Sequence, residues 1–160
     1  MESCPTDTFI PHPAMQRLME FMQERREKWA TPTDSAGIED FETFEQDVHT
    51  LVMALESELV SAELSHYDIT AQEIEVDGTG YRRGVRLPEI YLAAAGRVSV
   101  ERYLYYAVAA KGKGICPLAL RSGIIAGYFT PRAARQGAFA MAHLTSGESA
   151  ELFGEIGNLR

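Results

Sequence analysis

Ten basic side chains stand against three acidic ones between residues 76 and 147: Arg82, Arg83, Arg86, Arg97, Arg102, Lys111, Lys113, Arg121, Arg132 and Arg135 against Asp77, Glu89 and Glu101. A guanidinium presents a planar fork of donors that matches a phosphate, and an ammonium is a compact point charge. The chemistry such a set performs is the gripping of a polyanion. The first half of the chain has the opposite sign. Residues 1–75 hold 17 Asp and Glu against 4 Lys and Arg, residues 76–160 hold 6 against 11, and the net charge of -8 over 160 residues conceals the split. Halves of opposite sign point to different partners, the second half being the one suited to a polyanion.

Other reactive groups are sparse. Asp68, Glu73, Glu75 and Asp77 are close enough in sequence for metal-assisted phosphoryl chemistry, but that requires ligands converging on a rigid frame. The competing reading is a polar hairpin edge that discourages strand addition. Cys4 and Cys116 form no C-x-x-C pair, and His12, His49, His66 and His143 lie far from them in sequence, so neither a disulfide framework nor a zinc site can be written. In "AAKGKGICPL" the G-K-G lacks the spacing of a phosphate-binding loop, and no Ser or His shows nucleophile-elbow spacing. No cofactor, metal or catalytic residue is expected.

The elements that must position the basic groups follow from periodicity. The expected fold is α+β, with long N-terminal helices, a small antiparallel sheet of β-hairpins and a C-terminal helical hairpin. Residues 1–37 read as a helix carrying Met15, Leu18, Met19, Met22 and Trp29, followed by the linker "ATPTDSAG". Residues 38–72 contain one long acidic helix, from Ile38 to about Tyr67, with an apolar seam at Phe41, Phe44, Val48, Leu51, Leu55, Leu59 and Ala62. Glu39, Asp40, Glu42 and Glu45 crowd its first turns, where the helix dipole favours negative charge. The seam serves either as core packing or as a two-helix coiled coil, so a homodimer through residues 38–67 stays open.

Residues 73–110 change to period two. Ile74 and Val76 alternate before Asp77-Gly78, a strong hairpin signal. A second hairpin turns around Ala95-Gly96, after which Val98, Val100, Arg102 and Leu104 alternate with Ser99, Glu101, Tyr103 and Tyr105. The outward face of this sheet is expected to carry Arg82, Arg83, Arg86, Arg97 and Arg102.

Residues 111–160 read as helical. Pro117 opens a short helix reaching about Ala126. Thr130-Pro131 supplies an N-cap and a proline at the first helical position, beginning a helix that runs to His143. Thr145 and Glu148 form a capping box for the next helix, with Gly157-Asn158 as its stop. Two helices joined by a tight turn are the first two members of a helix-turn-helix unit, or an ordinary helical hairpin. Glu148, Glu151 and Glu155 give the later helix no basic residue, so it repels DNA, and any groove-reading helix must follow Arg160. No apolar run reaches the ~20 residues a membrane span requires, and the acidic start "MESCPTDTF" lacks a signal-peptide pattern; a cytoplasmic chain is expected.

The runs "AAGRVSVERYLYY" and "ICPLALRSGIIAGYFTPRAARQGAFAMAHLTSGESAELFGEIG" resemble the N-terminal region of transposases of the ISKra group of bacterial insertion sequences. The resemblance rests on Gly96, Val98, Val100, Arg102 and Tyr105, then Cys116 to Leu118. It continues through Thr130, Pro131 and Ala133 to Gln136, then His143 to Thr145, Glu148, Leu152, Phe153, Glu155 and Gly157. It covers roughly residues 40–160 and is strongest after residue 90. It implies a DNA-recognition and assembly region acting on transposon ends. In the family this region precedes a ribonuclease-H-like catalytic domain with acidic metal ligands, which this chain lacks. The chain is therefore expected to be the front part of such a transposase, without enzymatic activity of its own. Cysteine pairs found around the hairpin in some members are represented here by Cys116 alone. The alternative is a protein-interaction or oligomerisation module that uses the long amphipathic helix and does not bind DNA.

Overall fold

The computed structural model describes residues 13–30, 41–109 and 114–155. Lys111, Lys113, Glu39, Asp40, Gly157 and Asn158, invoked above, lie outside them, as does most of the linker. The elements run α1 (Pro13–Ala30), α2 (Phe41–His66), β1 (Glu73–Val76), β2 (Thr79–Ala93), β3 (Gly96–Ala107), β4 (Gly114–Ile115), α3 (Pro117–Ser122), α4 (Pro131–His143) and α5 (Ser146–Glu155). The fold is α+β. The four strands form one antiparallel sheet in the order β1-β2-β3-β4. Two compact units divide the chain, residues 1–55 and 56–160. The sheet segment 73–110 and the helical segment 111–160, separate in the sequence reading, fall into one unit because Leu64 of α2 and Leu118 of α3 both enter the core of the sheet.

Within residues 1–55, α1 does not bury the stripe its sequence marks. Met19, Met22 and Trp29 stay exposed. Phe21 instead stacks on Phe44 at 6.2 Å between ring centroids. The Arg25 guanidinium lies 4.6 Å from the Phe44 centroid and 5.3 Å from that of Phe21. The rings' negative faces help hold this cation in a site where it is 8% exposed.

Within residues 56–160 the frame is the β2–β3 ribbon. Its first turn is the expected one: Asp77 and Gly78 both have positive φ, 50° and 74°, the two-residue geometry whose twist matches the flanking strands. The two expected hairpins share one strand. β2 continues for 15 residues through Pro88, opposite Glu101. Leu92 turns its N–H and C=O outward, to Tyr128 and Thr130, and alternation turns position 88 outward too. The missing proline N–H is therefore one that β3 never needed. Between Arg83 and Arg86 the register shifts, with Gly84 and Val85 opposing Leu104 alone, a β-bulge.

One face of the ribbon makes the core, where Tyr91, Ala93, Val98 and Val100 meet Leu64 and Leu118. Full burial of Leu118 contributes about 1.5–3 kcal/mol. α3 ends at Ser122, short of the expected Ala126, because Gly123 takes the left-handed conformation (φ 70°) and its N–H returns to the Ala119 carbonyl.

The opposite face is crossed by a strap, residues 68–72, that leads from α2 to β1. The Asp68 carboxylate accepts from the Tyr103 N–H at 3.1 Å. The Tyr105 hydroxyl lies 2.9 Å from the Ile69 carbonyl oxygen and 2.7 Å from that of Ala71. Arg83 donates from its side chain to the Thr70 carbonyl and from its backbone to that of Gln72. Tyr105 is thereby fully buried on a face that carries no helix from the main core. Burial, opposed by the nearby Arg83 cation, raises its phenol above the ordinary value.

The helical starts match their sequence signals. The Thr130 side chain accepts from the Ala133 N–H at 3.4 Å. At α5, the Glu148 N–H donates to Thr145 Oγ1 at 3.3 Å, while the Glu148 carboxylate accepts from the Thr145 N–H at 2.8 Å and from its hydroxyl at 2.7 Å. The backbone bond to Thr145, then the hydroxyl bond, hold the Glu148 carboxyl below its ordinary value of 4.5. A carboxyl lowered on folding stabilises above its unfolded value, and that contribution disappears as pH falls through the lower folded value. Hydrogen exchange of the first α5 amides is therefore expected to accelerate below about pH 4.5 in the native chain and to lose this dependence in Glu148→Gln. An identical acid response in both rules out the box as its source.

Candidate nucleic-acid interface

Directly opposed residues in an antiparallel pair share a face, and neighbours along a strand alternate. By register, Arg82 (opposite Tyr106) and Arg102 (opposite Leu87) lie on the core side of the ribbon. Arg83 (opposite Tyr105), Arg86 (opposite Tyr103) and Arg97 (opposite Leu92) lie on the strap side. The single outward arginine face expected from the sequence is therefore not formed. Alternation separates Arg82 from Arg83, and Arg97 from Arg102, and the bulge after Arg83 is what keeps Arg83 in step with Arg86.

Three of the five are held by the chain's own carboxylates. Arg82 pairs with Glu73 at 3.0 Å and Arg86 with Glu101 at 3.2 Å, all four side chains more than half exposed. Such pairs contribute about 0–1 kcal/mol and open readily to a competing phosphate. Arg102 differs. It donates to Glu89, its side chain is 13% exposed, and its buried Nη1 has no partner among the described residues. Burial works against its charge, yet the Glu89 bond and nearby groups raise its pKa overall. Arg102 is a structural cation, closed to a ligand phosphate. Beside it, the Tyr91 hydroxyl sits 4.0 Å from Cys116 Sγ, and burial, followed by Cys116, pushes that phenol well above its ordinary value.

Arg83 also has internal work: besides holding the strap it lies over the Tyr103 ring at 4.9 Å, which Arg86 approaches at 5.6 Å. Arg121 donates to the Tyr67 carbonyl at 2.9 Å. Arg97 is exposed near the closed end of the ribbon. Arg132 and Arg135, in the first two turns of α4, are exposed and make no hydrogen bond or ion pair among the described residues. Arg132 borders a groove of about 480 Å³ that Glu56 and Glu63 also line.

Sequence reasoning missed the strap and the arginine that holds it, because both depend on a cross-sheet contact with no local signal. It also missed an apolar groove of about 530 Å³ between α4 and α5. No three His, Cys, Asp or Glu side chains among the described residues converge as metal ligands; Glu73 is paired with Arg82 and Asp68 caps Tyr103. No helix among the described residues is long and apolar enough to cross a membrane. Compared with known protein families, curated proteins and solved structures, the chain matches none.

Proposed function

We propose that the chain is the N-terminal DNA-recognition and assembly portion of an ISKra-type transposase, without catalytic activity of its own. The observation that carries the reading is the pair of exposed arginines, Arg132 and Arg135, in the opening turns of α4, which have no partner among the described residues. A helix N-terminus adds partial positive charge that favours phosphate oxygens, although Pro131 has no N–H to offer and those of Ala133 and Ala134 already go to Thr130. Arg82 and Arg86, whose exposed ion pairs open easily, extend the contact, while Arg83, Arg102 and Arg121 maintain the fold. The resemblance to the family is read from sequence motifs alone, and its motif positions also have structural duties here: Val98 and Val100 in the core, Leu118 at the start of α3, Thr130 and Glu148 as caps.

Fluorescence anisotropy with a labelled duplex at two salt concentrations tests the reading. Binding should weaken with salt, and each of Arg132→Ala and Arg135→Ala should lower the slope of log K against log salt by about 0.9. Arg102→Met should leave the slope unchanged, provided the variant folds. Binding without a salt slope, or no binding at low salt, overturns the proposal.

A second reading, a protein-interaction module, is favoured by the exposed Phe41, Val52 and Leu59 on α2 and by Met19, Met22 and Trp29 on α1. Light scattering on Leu55→Asp tests it: loss of a dimer with no affinity for duplex supports this reading over the first.

A further inference from the structure

We infer that the α4–α5 hairpin is a self-association surface whose occupant is the same hairpin of a second copy. Gln136, Phe139 and His143 of α4, with Leu144 just after its end, face Leu152 and Phe153 of α5 across an open groove. Phe139 is 69% exposed and Leu152 41%, a large apolar surface for a pair of helices this short.

Charge identifies the occupant. α4 carries Arg132 and Arg135 and no acid, whereas α5 carries Glu148, Glu151 and Glu155 and no base. Glu148 is spent in the capping box. Arg132, Arg135, Glu151 and Glu155 make no ion pair among the described residues. One patch thus offers an apolar floor, an unmatched positive helix and an unmatched negative helix. A two-fold axis along the groove sets α4 of each copy beside α5 of the other, with both turns at the same end. Arginine then meets glutamate twice, and Phe139 fills the opposite groove. An isologous contact needs such a self-complementary surface. A uniformly charged partner laid across the groove would satisfy one helix and be repelled by the other.

The contact draws on the same Arg132 and Arg135 that the proposed function gives to DNA, so it competes with duplex and does not rest on it; its test contains no DNA, so either reading can fail alone. Sedimentation equilibrium of the full chain should show a mass approaching twice 17.7 kDa as concentration rises. Phe139→Glu, at an exposed position, should weaken the dimer at least tenfold. Arg135→Glu and Glu155→Arg should each weaken it several-fold, and the two together should restore it. A chain that stays monomeric at several hundred micromolar overturns the inference. So does a dimer that ignores Phe139 and the charge swap but is lost in Leu55→Asp, since α2 would then be the contact.

Discussion

Replacing Tyr105 with alanine is expected to remove about 3–5 kcal/mol of stability, the range for truncating a fully buried aromatic side chain. Against a typical total of about 5–15 kcal/mol, that is a loss of about a fifth or more. Tyr105 has no exposed surface and its hydroxyl is shared by the carbonyls of Ile69 and Ala71. Tyr105→Phe separates the two roles: the ring remains, and the strap loses its hydroxyl anchor at a cost of about 1–3 kcal/mol. Urea denaturation followed by circular dichroism reads both values. Because burial raises this phenol above 10.0, its contribution is complete below the unfolded value and is lost as pH rises through the higher folded one. The native chain should therefore destabilise more steeply than Tyr105→Phe above pH 10. A neutral Tyr105→Phe with unchanged exchange at Thr70–Gln72 would mean that the strap is held by Arg83 and Asp68 instead.

Glu89→Ala should cost up to about 3 kcal/mol. Breaking a buried ion pair ordinarily costs 3–5 kcal/mol because a charge is left unmatched, and the lower figure applies since Glu89 is 38% exposed and water can reach the site. Arg102 cannot escape to solvent as easily, being 13% exposed with Nη1 already unpartnered. Removing both charges should be much milder: Glu89→Met with Arg102→Met is expected to recover most of the loss, because the pair is costly to break and contributes little net. A double variant no better than Glu89→Ala would show that the positions are limited by packing rather than by charge.

Local signals determined what sequence inspection could see. The caps at Thr130 and Thr145, the Asp77-Gly78 turn and the end of α4 at His143 each depend on a few adjacent residues and their backbone chemistry, and each appears where the sequence places it. The single strand running through Pro88 was less visible, because proline normally interrupts a ladder unless its missing donor points away from the partner. Period two already separates Arg82 from Arg83 and Arg97 from Arg102, so the split of the arginines was legible in principle. Their capture by Glu73, Glu101 and Glu89 required the register. On α1 the exposed Met19, Met22 and Trp29 share a helix with the half-buried Phe21 and the buried Arg25. Hydropathy alone favours the wrong face there, since two aromatic rings make burial of a guanidinium tolerable. The α4–α5 groove depends on where two helices meet, a tertiary fact with no sequence period of its own.

The outward turn of Pro88 bears on solubility. From Val85 to Ile90, β2 has no neighbour on its free side among the described residues, whereas Arg82 is covered by β1 and Leu92 by Phe129. A bare margin of this length, with Val85, Leu87 and Ile90 all exposed, would invite a stray extended chain to dock and seed fibrous stacking. The proline ring removes a donor from the middle of that margin and obstructs an incoming backbone. The residue least suited to a strand thus helps keep the longest of the described strands from polymerising.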